Sequence, residues 1–176
     1  SIDLQLNPGE FVRTLLLDPA QTWLHVLTNR GRVITSNIRR LGDPERLEPV
    51  SVADGDIEVL DARFLNGGIS LLVTTTDGHI SQLFPVRDDN GWSVQLVRQF
   101  DTPSAALVSA VDIEYRRRGF VAGDQDGNVS LYYATSHREL LNEPLVDGAI
   151  IDLALAPRAD LLLVQTDDGR YTVFDV

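Results

Sequence analysis

Phe120-Val121-Ala122-Gly123-Asp124-Gln125-Asp126-Gly127-Asn128-Val129-Ser130-Leu131-Tyr132 reads as two apolar runs folded back on each other at Asp126-Gly127. Phe120 and Ala122 lie two positions apart, the periodicity of a strand with one buried face. An Asp-Gly pair between such runs predicts a type I′ hairpin, because that turn needs positive φ at both central residues and matches the twist of the flanking strands.

The pattern occurs four times. Glycines close the turns Arg30-Gly31, Asp77-Gly78, Asp126-Gly127 and Asp168-Gly169, so positions 31, 78, 127 and 169 are 47, 49 and 42 residues apart. Aligned on those glycines, Leu24, Leu71, Phe120 and Leu162 share a column, and so do Val26, Val73, Ala122 and Val164. Upstream, Leu15, Ala62, Val111 and Leu153 align, then Leu17, Phe64, Ile113 and Leu155; after the turn come Val33, Ile80, Val129 and Tyr171. Each module reads as strand a, a bend, strand b, the glycine turn, strand c, a variable loop and an outer strand d. In the second module these fall at about 57–65, 69–76, 79–86 and 92–99. Four-stranded units at a period of about 40 to 50 residues, with no convincing helix, predict an all-β fold, a β-propeller segment of about four antiparallel blades. A β-sandwich of hairpins also alternates, but has no reason to repeat its columns.

The expected organisation is a single segment over 1–176, with blades at about 11–53, 57–100, 106–146 and 149–176. The fourth module lacks its outer strand, and 2–6 reads as an outer strand of a neighbouring or closing blade. The start at Ser1 and the end inside the run Tyr171 to Val176 read as a piece of a longer protein, an arc or half-ring cut from a larger propeller. Its two open blade faces predict dimerisation or a swapped terminal strand.

Composition narrows the chemistry. All 15 basic residues are arginine and face 26 acids, a formal charge of -11, which disfavours nonspecific nucleic-acid binding. With neither cysteine nor methionine, disulfides, thiolate metal sites and cysteine nucleophiles are excluded. The longest apolar runs are strand-sized, well below the roughly 18 residues needed to cross a bilayer. No G-x-S-x-G, P-loop or G-x-G-x-x-G motif occurs. His25, His79 and His137 fall in three modules without metal-ligand spacing, and His25 shares a strand column with Leu72, Val121 and Leu163, so it reads as a packing residue. Asp124-Gln125-Asp126-Gly127-Asn128 is similar to the start of a calcium loop but lacks the acid at the twelfth position. No catalytic, cofactor or metal site is expected.

The modules resemble WD-like β-propeller repeats, although only Phe174-Asp175 fills the Trp-Asp slot; Ser36-Asn37, Leu83-Phe84 and Tyr132-Tyr133 stand there in the other copies, and no Gly-His pair opens a blade. Gly123 to Tyr132 and Ala134 to Leu141 look like the propeller inserted before the core membrane helices of large bacterial phosphate ABC-transporter permeases. That resemblance covers the whole chain and supplies no site residues. It implies a noncatalytic, periplasmic accessory or docking domain of a permease in the bacterial inner membrane, with a substrate-binding protein or another transporter subunit as partner. A cytoplasmic WD-like interaction scaffold and a fragment of a propeller enzyme are the competing readings.

Strand direction turns loop composition into two faces. The b–c turns and d–a connections collect Asp54, Asp56, Asp77, Asp101, Asp124, Asp126, Asp147 and Asp168, a candidate partner-binding acidic face. The a–b and c–d loops collect Arg39, Arg40, Arg116, Arg117, Arg118 and Arg138, diluted by acids, a candidate membrane-proximal face. Arginines beside anionic headgroups would gain about 1 kcal/mol each.

Overall fold

The computed structural model describes residues 2–40, 42–65, 67–100, 102, 106–115, 119–136, 138–158 and 160–176. Among these, sixteen strands and no helix form four antiparallel sheets, each laid down in sequence order. The first has β1 (Val12–Leu17), β2 (Trp23–Thr28) and β3 (Arg32–Asn37), with β4 (Glu45–Arg46) and β5 (Val50–Ser51) sharing its outer position against β3. The outer strand is split because Arg46 pairs Ser36 whereas Val50 pairs Val33. One extra residue must bulge out across Leu47-Glu48-Pro49, where proline has no N–H to give the ladder.

The second sheet runs β6 (Val59–Phe64), β7 (Leu71–Thr75), β8 (Ile80–Asp88), β9 (Gly91–Phe100). The third runs β10 (Val108–Glu114), β11 (Gly119–Asp124), β12 (Asn128–Tyr133), β13 (Arg138–Pro144), and the fourth stops at three, β14 (Ile150–Leu155), β15 (Leu161–Thr166), β16 (Tyr171–Asp175). These are the expected a, b, c and d positions, with a, b and c forming the fourth sheet among the described residues.

The repeat reaches the backbone. In every sheet the ladder between the first two strands slips once, between Val12 and Thr14, Val59 and Asp61, Val108 and Ala110, and Ile150 and Asp152. Those bulges recur at the same offsets as the glycines, one per blade. A bulge bends its strand and steepens the local twist.

Two expectations are corrected. The glycine turns are not type I′: Gly31, Gly78, Gly127 and Gly169 have φ of 71, 84, 84 and 82°, but Arg30, Asp77, Asp126 and Asp168 do not have positive φ. An i→i+3 bond closes the turn from Gly31 N to Thr28 O, from Gly127 N to Asp124 O and from Gly169 N to Thr166 O. The fourth blade adds Thr166 N to Arg170 O, 3.0 Å. This is a three-residue loop whose glycine forms the left-handed bulge, the other common hairpin solution that Asp-Gly fits. The second correction concerns 2–6, which is not a strand. Gln5 has φ 48°, outside the extended region, and its N–H turns back to Asp3 Oδ1. The segment is held instead by Arg32 and Arg46, which donate to the carbonyls of Gln5 and Asp3 at 3.0 and 3.2 Å.

The chain divides into two compact units, Ser1–Thr75 with Ser81–Gln99, and Thr76–Ile80 with Phe100–Val176. In the first, Leu27 and Val33 of the first sheet pack with Val59, Leu71, Val73 and Leu83 of the second. In the second, Val121, Val129 and Leu131 of the third sheet pack with Ile150, Leu153, Leu162 and Val164 of the fourth. Phe100, Phe120 and Tyr132 add an aromatic cluster, with Phe120 stacked on Tyr132 at 5.0 Å. Each such fully buried side chain contributes roughly 1.5–3 kcal/mol.

The b-strand columns behave as read: Val26, Val73, Ala122 and Val164 are all buried, as are Leu71, Phe120 and Leu162, while Leu24 is half-buried. The Leu15 column splits. Leu15 is 61% exposed where Ala62, Val111 and Leu153 are buried.

Candidate docking site

In each unit a b–c turn adjoins a d–a connection. In the first, the turn residues Asn29 and Arg30 and the connection Gly55 to Glu58 line one hollow of about 350 Å³. In the second, Asp147 of a d–a connection adjoins Arg170 of a b–c turn, whose Nη2 donates to the Asp147 carbonyl at 3.1 Å. Of the candidate acidic residues, Asp54, Asp56, Asp126, Asp147 and Asp168 are exposed and Asp77 is half-buried beside His79, whose Nδ1 lies 2.7 Å from Asp77 Oδ2. Asp168 is held below the ordinary carboxylate range by the Thr166 hydroxyl and then by Arg170.

Asp124 does not belong to that surface. It is buried, Oδ1 accepting from the Asp126 and Asn128 N–H groups and Oδ2 from Asn128 Nδ2, all at 2.8–2.9 Å. Its charge clamps the turn, the ordinary use of aspartate there. No group of three metal-ligating side chains gathers among the described residues. Asp101, Arg116, Arg117, Arg118 and His137 lie outside the described residues. Arg39, Arg40 and Arg138 are exposed.

The other end of the first unit carries a feature absent from the sequence reading. Asp18 ends β1, and its Oδ1 accepts from the Thr22 and Trp23 N–H groups, both at 2.6 Å, while Gln21 takes φ 53°. This bend turns the chain back within five residues and sets Trp23 at the first position of β2. Across from it, Pro19 lies on Gly68 (φ 67°), where an added Cβ would meet Pro19 Cδ at 2.5 Å. Only glycine allows the two a–b bends to approach this closely. Trp92, the second residue of the outer strand β9, lies on the same end, and its indole meets that of Trp23.

Between these elements lies a cleft of about 410 Å³. Trp23, buried in the core, forms its floor, Phe84, Ile69 and Trp92 its partly exposed apolar walls, and Arg39 and Arg87 its charged rim. Arg87 lies over the Trp92 ring, 5.9 Å from the centroid, a cation–π arrangement that fixes both side chains. Sequence reading placed Arg39 among these loops but missed the aromatics. The available signal was that the only two tryptophans of the chain each lie within the first two residues of a strand in adjacent modules.

His25 is a packing residue, as its column suggests. Its Nδ1 lies 2.8 Å from Thr35 Oγ1, its ring meets Phe64 edge-on, and burial pushes its pKa down to about 4, against a smaller raising effect of Asp18.

No protein-family model matches this sequence, and no curated protein matches it either. Solved structures do. The β-propeller domain of Cps50 (Swd1) from Myceliophteria thermophila matches the whole chain at a TM-score of 0.76 and 15% identity. The fold is a β-propeller segment. The crystal structure of the mitotic checkpoint complex contains a second match, over 97% of this chain at a TM-score of 0.70 and 14% identity. This chain spans 57% and 49% of those two chains, so the propeller segment is about half their length. The propeller reading therefore stands at the level of the fold.

Proposed function

We propose that this propeller segment is a noncatalytic docking domain that meets a protein partner at the loop end bearing Trp92, Arg39 and Arg87. The observation behind it is the aromatic cleft: an interface needs apolar area to desolvate at its centre and a polar rim, with tryptophan and arginine the residues that most often anchor it. The acidic loops of Asp54 and Asp56 form the second candidate surface. The hollow beside them is lined mainly by polar groups. The proposed setting is extracytoplasmic, in a phosphate-transport permease of the bacterial inner membrane. It rests on the resemblance of 123–132 and 134–141 alone, and membrane spans in the flanking sequence would distinguish it from a cytoplasmic scaffold.

The test is photo-crosslinking in the full-length protein within its native envelope, with a photoreactive residue at Phe84 or at Asp54. A discrete protein adduct from position 84 and none from 54 supports docking at the cleft. Adducts from 54 alone move the partner to the acidic loops, and none from either removes the docking role.

A further inference from the structure

We infer that the cleft binds an extended acidic peptide carrying one aliphatic or aromatic anchor residue. The inference rests on the docking reading and adds the chemistry of what docks. Its floor and walls, Trp23, Phe84, Ile69 and Trp92, offer apolar surface for one buried side chain, and about 410 Å³ lies within the range of side-chain and small-ligand sites, roughly 300–1,000 Å³. The lining holds two guanidinium groups, Arg39 and Arg87, against one carboxylate, Asp18, whose Oδ1 is already committed to two backbone N–H groups. Arginine forks suit carboxylates. A cationic ligand would have to displace Arg87 from Trp92, where it lies 5.9 Å from the ring centroid.

The ligand is extended because the cleft does not end at Arg39. Asn37 and Arg39 also line a second hollow of about 550 Å³ with Arg40, Asp43 and Glu45. A chain anchored over Trp23 therefore continues past Arg39 into a trough where Asp43 and Glu45 oppose Arg40, so its acidic side chains are recognised at Arg39 and Arg87 and not beyond. The formal charge of -11 repels an anionic ligand at long range, so the attraction is made at short range by Arg39 and Arg87 and depends on those two residues.

Both tryptophans of the chain line the cleft, so the indole N–H signals of the intact 176-residue chain report on this site alone. The probe is an acetylated, amidated Asp-Glu-Leu-Asp-Glu peptide, compared with its Leu→Ser form, its charge-reversed Arg-Lys-Leu-Lys-Arg form, and vesicles of phosphatidylglycerol in phosphatidylcholine. The expected result is saturable movement of both indole signals with the acidic leucine peptide. Binding should be at least about tenfold weaker with serine, the loss of a buried leucine, and roughly three- to fivefold weaker in Arg39→Gln and in Arg87→Gln, each of which removes a single rim charge. Unmoved indoles at about 10 mM peptide, equal binding of the charge-reversed peptide, or a response to the vesicles alone each overturns the inference, the last in favour of a lipid-headgroup site. Crosslinking at Phe84 with no peptide response leaves docking in place and removes the acidic-peptide chemistry. Peptide binding without a crosslinked partner does the reverse.

Discussion

Trp92 meets Trp23 edge to face, with ring centroids 5.1 Å apart and planes at 68°. The two are unequal partners. Trp23 is 6% exposed and belongs to the core with Leu27 and Val59, whereas Trp92 is 37% exposed. Trp23→Ala should therefore cost about 3–5 kcal/mol, the loss of a buried aromatic plus its cavity, and Trp92→Ala about 1 kcal/mol, near the worth of the ring pair. Urea unfolding of the two variants decides it; a larger loss at Trp92 would mean that Trp23 is not the floor of the cleft.

Acid should weaken the first unit through His25. Its folded-state pKa is about 4 against 6.5 for the free side chain, because burial disfavours the imidazolium. Above about pH 6.5 the ring is neutral in folded and unfolded chains alike. As pH falls from 6.5 towards 4 the unfolded chain takes up a proton that the folded chain refuses, so stability drops, by roughly 3 kcal/mol once pH is below both values. His25→Leu, matching Leu72 and Leu163 in its column, should lose most of this difference when unfolding free energies at pH 7 and pH 4.5 are compared. Equal acid losses in both proteins would assign the effect to carboxylates instead.

The blade repeat was legible because the residues that carry it are of one class per column and sit at fixed offsets from a glycine. The bulges were not: the bulged residues Arg13, Leu60, Ser109 and Ile151 are not of one class, since an unpaired position constrains backbone and not side chain. The turn type was misread for a related reason. Asp126-Gly127 suits both a two-residue and a three-residue loop, and the choice is made by where the ladder closes. The cleft escaped because Trp23 and Trp92 meet only when two blades pack, and a one-dimensional pattern shows each merely as the start of a strand.

Glycine substitutions separate backbone strain from crowding. Gly169 has φ 82° with open space around its missing Cβ, so Gly169→Ala should cost only the left-handed penalty, about 1–2 kcal/mol. Gly127 has φ 84°, and its Cβ would press on the Val146 carbonyl oxygen. Gly127→Ala should lose clearly more, and thermal melts of the pair should rank 169 above 127. The same midpoint for both would mean that the backbone around Val146 yields freely.

Asp124 supplies the other half of that turn. Its carboxylate accepts three hydrogen bonds within four residues, and removing it leaves the Asp126 and Asn128 N–H groups to find water. Asp124→Ala should destabilise by about 1–3 kcal/mol, while Asp126→Ala, exposed in the same loop, should change stability by less than about 0.5 kcal/mol. Hydrogen exchange at Asn128 N–H is the local readout, and unchanged protection in Asp124→Ala would show that the clamp is dispensable.

Two columns are exposed where their repeats are buried, and they define a prediction about self-association. In the strand b column His25, Leu72 and Val121 are at most 2% exposed, but Leu163 is 37% exposed, and its ladder neighbour Val173 is 60% exposed. In the strand a column Leu15 is 61% exposed against buried Ala62, Val111 and Leu153. Inside each unit one blade covers the next, so the uncovered Leu163 face of one copy matches what the uncovered Leu15 face of another lacks. Such a head-to-tail contact is heterologous, and exposed apolar area of this kind favours it. Sedimentation velocity should show a concentration-dependent shift to dimer, and both Leu15→Asp and Val173→Arg should abolish it. Because the two substitutions act on different faces, mixing the variants should restore dimers through the one intact pair of faces. A single-species monomer in the wild type across the concentration range would refute this pairing.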